Sequence, residues 1–249
     1  MNISDFVRAN AANGYLASNS TATTGQAAKA SGQGLQKAEQ RIQAMADTTS
    51  AQLSSFGKLK SAVSDAQTGA RALVGFSTTT KPADVKTALT GFVNAFNAAL
   101  TAAKTTTGVS GDAAASQSAN RVNRDLQRST SADTINLGTL KKIGVTAGAD
   151  GKLAIDATKL GAALTANPTE VRDTLAKLGR QVEQAATKEL ATDGDVGKPL
   201  SALNQRSAVL KSQQATLASL SSQTAASTQP KPNSALFGYG VSAYQNGFV

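Results

Sequence analysis

Asp193 and Asp195, with Gly194 and Gly197 beside them, are this sequence's nearest approach to a metal-binding loop. Calcium loops place their oxygen ligands through about twelve residues and close on a bidentate Glu. That spacing and the closing Glu are missing, so the pair reads as a turn between helices. Nucleophilic chemistry has no better footing. Serine is abundant, but the chain has no histidine to complete a Ser-His-acid triad. General acid–base work would fall to carboxylates in a cleft, and here Asp and Glu are scattered among helix caps and faces. There is no phosphate loop or dinucleotide fingerprint; Gly32-Gln33-Gly34 is too short to be either. These residues point away from an enzyme and imply no cofactor and no metal.

Positive charge is the next candidate for function. Lys and Arg number 25 against 16 acids, a net charge of +9. Such an excess can serve nucleic acid or an anionic membrane surface. The basic residues are spread singly, and the densest group is Arg121, Arg124 and Arg128 on one helix face, with Lys141-Lys142 beyond. No aromatic residues are interleaved for base stacking, so a solvated helix face is the expectation. Nucleic-acid binding ranks third among the readings, and it would have to be strongly salt-dependent. With no cysteine there is no disulfide and no thiolate chemistry. No run approaches the roughly 20 apolar residues of a membrane span, so no membrane insertion is expected. The opening MNISDFVRANAANGYLAS lacks the features of a cleavable secretory signal. A cytoplasmic protein and one exported without such a signal both fit.

The elements that carry these residues follow from composition. Apolar residues make up 40% of the chain but aromatics only 4%, too few large side chains for a thick core. Alanine-rich helices with narrow apolar seams are the alternative. The expected fold is mainly α: long antiparallel helices in a coiled-coil or bundle stalk, with a small β-hairpin-containing α+β portion. Residues 1–34 are small and polar, and are expected to be disordered, with at most a frayed helix near 3–15. From Leu35 the seam Leu35, Ala38, Ile42, Met45, Thr49, Gln52, Phe56, Leu59, Val63, Ala66, Ala70 and Leu73 keeps alternating three- and four-residue steps. Thr49 and Gln52 interrupt it. Residues 35–76 are thus a stalk helix. Residues 82–226 form a second region of helices plus a hairpin at 142–156, and 227–249 a Pro-containing aromatic tail. In that region Pro82 opens a helix, 105–110 reads as a turn, and 111–129 as a polar helix resting on Val122 and Leu126. After the turn at 193–199, Leu200, Leu203, Leu210 and Leu217 form a last, polar-interrupted seam. The tail is either a docking peptide or a segment folded back on the bundle.

Local chemistry is densest from Ile135 to Leu178. Asp150-Gly151 between the apolar runs Ile143-Gly144-Val145 and Leu153-Ala154-Ile155 signals a hairpin turn. Asp156 is placed to cap a short helix. Asn167, Pro168 and Glu170 have the spacing of a capping box ahead of a long one.

The ordered set Leu140, Ile143-Gly144-Val145, Asp150-Gly151-Lys152-Leu153, Asp156, Lys159-Leu160, Ala163-Leu164, Asn167-Pro168 and Val171 resembles the C-terminal region of the flagellar filament capping protein family, also called flagellar hook-associated protein 2. Residues 50–62, with Gln52, Phe56, Gly57, Lys58 and Leu59, and the helix around Phe92-Val93 and Phe96-Asn97 resemble its helical parts, with Phe96 where Tyr is usual. The family carries one or two outer domains between those helices, where this chain has about ten residues, so the resemblance is to a reduced form. It implies a non-enzymatic structural subunit of the extracellular flagellum, exported without a cleavable signal peptide. Such a cap assembles as a homo-oligomeric ring at the filament tip, promotes flagellin polymerisation and prevents its leakage. The implied partners are copies of itself, flagellin, hook–filament junction proteins and an export chaperone. The assembly seam would pair Leu35, Ile42, Met45, Phe56, Leu59 and Val63 with Leu200, Leu203, Leu210 and Leu217, intramolecular core being the plainer role for each. The alternative is a helical adaptor that docks through amphipathic faces and its aromatic tail.

Overall fold

The computed structural model describes residues 24–109, 113–131 and 137–228. The expected frayed helix near 3–15 and the tail from residue 229 onward lie outside them. Within the described residues the chain is mainly α-helical, with helices α1 Thr24–Val74, α2 Pro82–Gly108, α3 Ala113–Ser131, α4 Leu137–Lys142, α5 Ala157–Ala166, α6 Pro168–Leu190 and α7 Gly197–Thr228. The short strands β1 Val145–Ala147 and β2 Leu153–Ile155 pair antiparallel between α4 and α5. The chain divides into two compact units, Ala46–Val209 and a second built from residues on either side of it.

The larger unit is a four-helix bundle. Ser55 of α1 bonds Thr106 of α2, and Gly69 of α1 faces Phe92, so these helices run antiparallel. Gln67 bonds Thr187 and Arg71 bonds Glu183, so α6 also runs antiparallel to α1. α3 packs on both α2 and α6 and closes the bundle. Its interior is the set the apolar spacing selects. Phe56, Leu59 and Val63 come from α1, Leu89, Phe92 and Phe96 from α2, Val122 and Leu126 from α3, and Leu175, Leu178 and Val182 from α6. Each such side chain contributes about 1.5–3 kcal/mol by leaving water. The Phe92 and Phe96 rings lie 5.8 Å apart in a tilted arrangement, within the centroid range of interacting aromatic pairs. Among the described residues Gln52 is the discordant member: its amide is buried on the same seam and neither polar atom has a hydrogen-bond partner.

Between α3 and α6 the chain makes the hairpin and α5. β1 pairs Val145 with Ile155 and Ala147 with Leu153. Gly144 enters β1 with φ +81°, where a Cβ would sit 2.7 Å from the Asp156 carbonyl. Only glycine fits both conditions. Gly151 takes φ +77° in the connecting turn, and the Asp150 carboxylate accepts from the Lys152 N–H at 3.1 Å. Asp156 caps α5, accepting from the Thr158 and Lys159 N–H groups at 3.1 and 3.0 Å. The Lys159 backbone bond is the main reason that its carboxyl sits below the usual carboxylate range.

Four local expectations are corrected. α1 begins at Thr24, inside the stretch expected to be disordered; Gln26, Ala27, Ala28, Lys29 and Ala30 are good helix formers, and the helix extends back through them. α2 continues to Gly108 instead of turning at 105. Thr105 and Thr107 satisfy their hydroxyls on the carbonyls of Thr101 and Ala103, so neither breaks the helix. α7 opens at Gly197 and takes Pro199 into its first turn, where a missing N–H costs nothing. Asn167 makes no side-chain cap bond. It is the single residue linking α5 to α6, and its N–H closes α5 on the Ala163 carbonyl, which fixes it in a geometry unsuited to a capping box.

In the smaller unit the described residues are 24–45 of α1 and 210–228 of α7. Ile42, Leu210 and Leu217 are buried there. The Gln214 amide donates to the Gln43 amide oxygen at 2.9 Å.

Candidate assembly site

Phe56, Leu59, Val63 and Leu203 belong to the core of the larger unit, and Leu200 packs against it half-buried. Ile42, Leu210 and Leu217 are buried in the smaller unit. Leu35 is half-buried. Met45 has 38% of its surface exposed. The ten seam residues are divided between the two units. Most hold the chain's own helices together, and Met45 and Leu35 retain exposed area.

The connection between α1 and α2 is short and closed. Residues 75–81 link α1 to α2. The Thr80 hydroxyl accepts from the Ser77 N–H at 2.9 Å, and the Thr80 N–H donates to the Ser77 carbonyl at 3.1 Å. Arg172 of α6 donates to the Thr80 carbonyl at 2.8 Å. The turn is thus tied to itself and to the bundle.

The hairpin is held by a contact that spacing alone does not announce. The Asn97 side chain donates to the Leu153 carbonyl and accepts from the Leu153 N–H, both at 2.8 Å. One amide on α2 thereby stands in for a third strand along the edge of β2, satisfying groups that an edge strand leaves open. Asn97→Ala would orphan both, at a cost of about 1–3 kcal/mol. Amide exchange at Leu153 should then accelerate by roughly tenfold or more. Unchanged protection there would mean the pairing contributes nothing to the hairpin. The turn residues Asp150 and Gly151 lie at the tip, where Gln127 of α3 donates to the Asp150 carbonyl at 3.3 Å.

Part of the basic group is paired locally. Arg121 meets Asp195 at 2.7 Å and Arg128 lies 3.8 Å from Asp125, so two members of the basic group face acids. Asp195 is taken up by that pair, and among the described residues no group of three or more His, Cys, Asp or Glu could hold a metal ion. One acid stands out only in the folded chain. Glu189 near the end of α6 is only 1% exposed, and neither carboxylate oxygen has a hydrogen-bond partner. Burial, then Asp125 and Asp195 nearby, push its carboxyl up to about 7. A signal for it does exist in the sequence: Glu189 follows Val182 and Ala186 at seam spacing. Among the described residues no helix is long and apolar enough to cross a membrane.

No curated protein and no solved structure matches the chain. The family model for the C-terminus of flagellar hook-associated protein 2 matches residues 65–232. That span takes in the end of α1, all of α2 to α7, and the hairpin. The chain belongs to the flagellar hook-associated protein 2 family, structural proteins of the bacterial flagellum that cap the filament.

Proposed function

We propose that this chain is a reduced filament cap: a non-enzymatic subunit that assembles with its own copies as a ring at the filament tip, promotes flagellin polymerisation and keeps exported flagellin from leaking away. The observation that carries this reading is the family match over residues 65–232, in a helical bundle whose α1–α2 connection is a closed turn. Capping would then be the work of helices and hairpin alone, with no covalent step. In this reading residues 35–76 are the stalk helix, 82–226 the capping-like region with its hairpin at 142–156, and 227–249 an accessory tail. Flagellin, the hook–filament junction proteins and an export chaperone are its partners, and the extracellular flagellum its location. Many of the seam leucines are committed to the chain's own core, so contacts between copies fall to surfaces outside it.

A clean deletion of the gene, complemented in trans, tests this. Flagellin is assayed in the medium and filaments are viewed by electron microscopy. Leaked monomeric flagellin with absent or stubby filaments, restored by complementation, is the expected result. Normal filaments with no leakage would return the chain to the adaptor reading.

A further inference from the structure

Glu189 lies where α6 passes into the turn that starts α7. Its backbone carbonyl accepts from the Val196 N–H at 3.0 Å. Gly194 packs so closely on the carbonyls of Lys188 and Glu189 that no Cβ could be accommodated. Val196 is fully buried, and Leu203 one helix segment later is part of the bundle core. The junction is thus built around the residue whose carboxyl group is buried without a hydrogen bond.

The charges facing that group come from each element around it. From α3 comes Asp125, within hydrogen-bonding reach of Glu189, with Arg128 3.8 Å from Asp125. From α6 itself comes Lys188, whose ammonium is 2.8 Å from Asp125 and 3.8 Å from Glu189. From the turn comes Asp195, already engaged by Arg121 of α3. Lys188 is 71% exposed and placed nearer Asp125, so it neutralises that partner better than it neutralises Glu189. Two ionised carboxylates cannot bond each other, because both only accept. A protonated Glu189 donates to Asp125 and fills the unmet need.

We propose that Glu189 and Asp125 form a proton-operated latch between α3, α6 and the start of α7: closed when Glu189 carries a proton, loosened when it ionises. This rests on the geometry of the junction and stands independently of any capping role. The sign follows from linkage. A carboxyl raised in the folded state gives stability that is lost as pH climbs from the unfolded value of 4.5 through about 7. Asp125 is desolvated, but the Lys188 ammonium 2.8 Å away, together with the proton on Glu189, outweighs that and holds it below the ordinary range. Its own contribution is lost only in acid, so the two windows do not overlap.

The test follows thermal melting of the full chain from about pH 5.5 to about pH 8.5, with amide exchange read at Val196 and Lys198. The unsubstituted protein should lose about 5 °C or more across that range. Exchange at those two amides should rise beyond its intrinsic pH dependence. Glu189→Gln, a neutral shape match, should flatten both responses. Asp125→Asn removes the neighbouring charge and leaves only a weaker, neutral amide oxygen as acceptor; it should move the carboxyl titration of Glu189, followed by carbon-13 NMR, to lower pH. A melting curve flat in pH, equal slopes in the unsubstituted and Glu189→Gln proteins, or a Glu189 titrating in the ordinary carboxylate range would each overturn the latch.

Discussion

Phe56→Asp should abolish cooperative folding of the bundle. Phe56 is among the largest fully buried side chains and sits in the core beside Leu59 and Val63. Truncating a buried Phe costs about 3–5 kcal/mol through lost burial and the cavity left behind. An aspartate adds a carboxylate with no partner, costing several kcal/mol more even if it takes up a proton. Against a typical total of about 5–15 kcal/mol, the sum removes most or all of the stability. Circular dichroism during a thermal melt is the readout. The expected signal is a shallow, non-cooperative loss of helix, with Phe56→Leu retaining a sharp transition. A sharp transition in Phe56→Asp would mean that the α1 seam is not packed as described.

Gly179 carries the second large effect, and its sign is opposite to the one helix propensity alone predicts. Replacing a mid-helix glycine by alanine ordinarily stabilises by about 1 kcal/mol. At Gly179 the added Cβ would meet the Ala70 carbonyl oxygen at 2.5 Å and the Leu73 Cβ at 3.1 Å. The first of these is backbone of α1 and cannot turn aside, so the two helices must separate, at about 1–3 kcal/mol or more. Gly179→Ala should therefore lower the melting temperature, and Gly179→Leu should lower it further. Gly91, exposed on α2 with nothing within 4 Å of the place a methyl group would take, is the internal control. Gly91→Ala should raise the melting temperature. If both alanine variants stabilise, α1 and α6 are not in close contact.

Periodicity made α1 legible, because Phe56, Leu59, Val63, Ala66, Ala70 and Leu73 announce one buried stripe. The hairpin was legible for a different reason: Asp-Gly between apolar runs has few other uses. Spacing along one helix says nothing about which helix faces it. That α6 lies on α1 depends on the absence of a side chain at Gly179, and an absence leaves no periodic mark. Asn97 and Leu153 are 56 positions apart, so nothing local links them. Glu189 was on the seam, yet a glutamate at such a position reads as a surface residue until its surroundings are known. The assembly residues were the least legible. A leucine stripe has the same pattern whether it meets its own chain or another copy, and the fold assigns most of these leucines to its own interior.

The turn at 75–81 has a consequence for how such a chain can change. Leu73, Val85 and Leu89 are fully buried from within the helices that flank it, and the turn itself lends the core only the partly buried Phe76. The bonds inside it are between serine and threonine groups exposed to water. An added module spliced in there would disturb local hydroxyl pairs and the Arg172 bond to Thr80 while the buried helical core stays packed, because closing a longer loop costs little more than closing a short one. Gain or loss of an outer module is then a single genetic edit at an exposed port, and the same port is where a foreign domain could be grafted without redesigning the body that carries it.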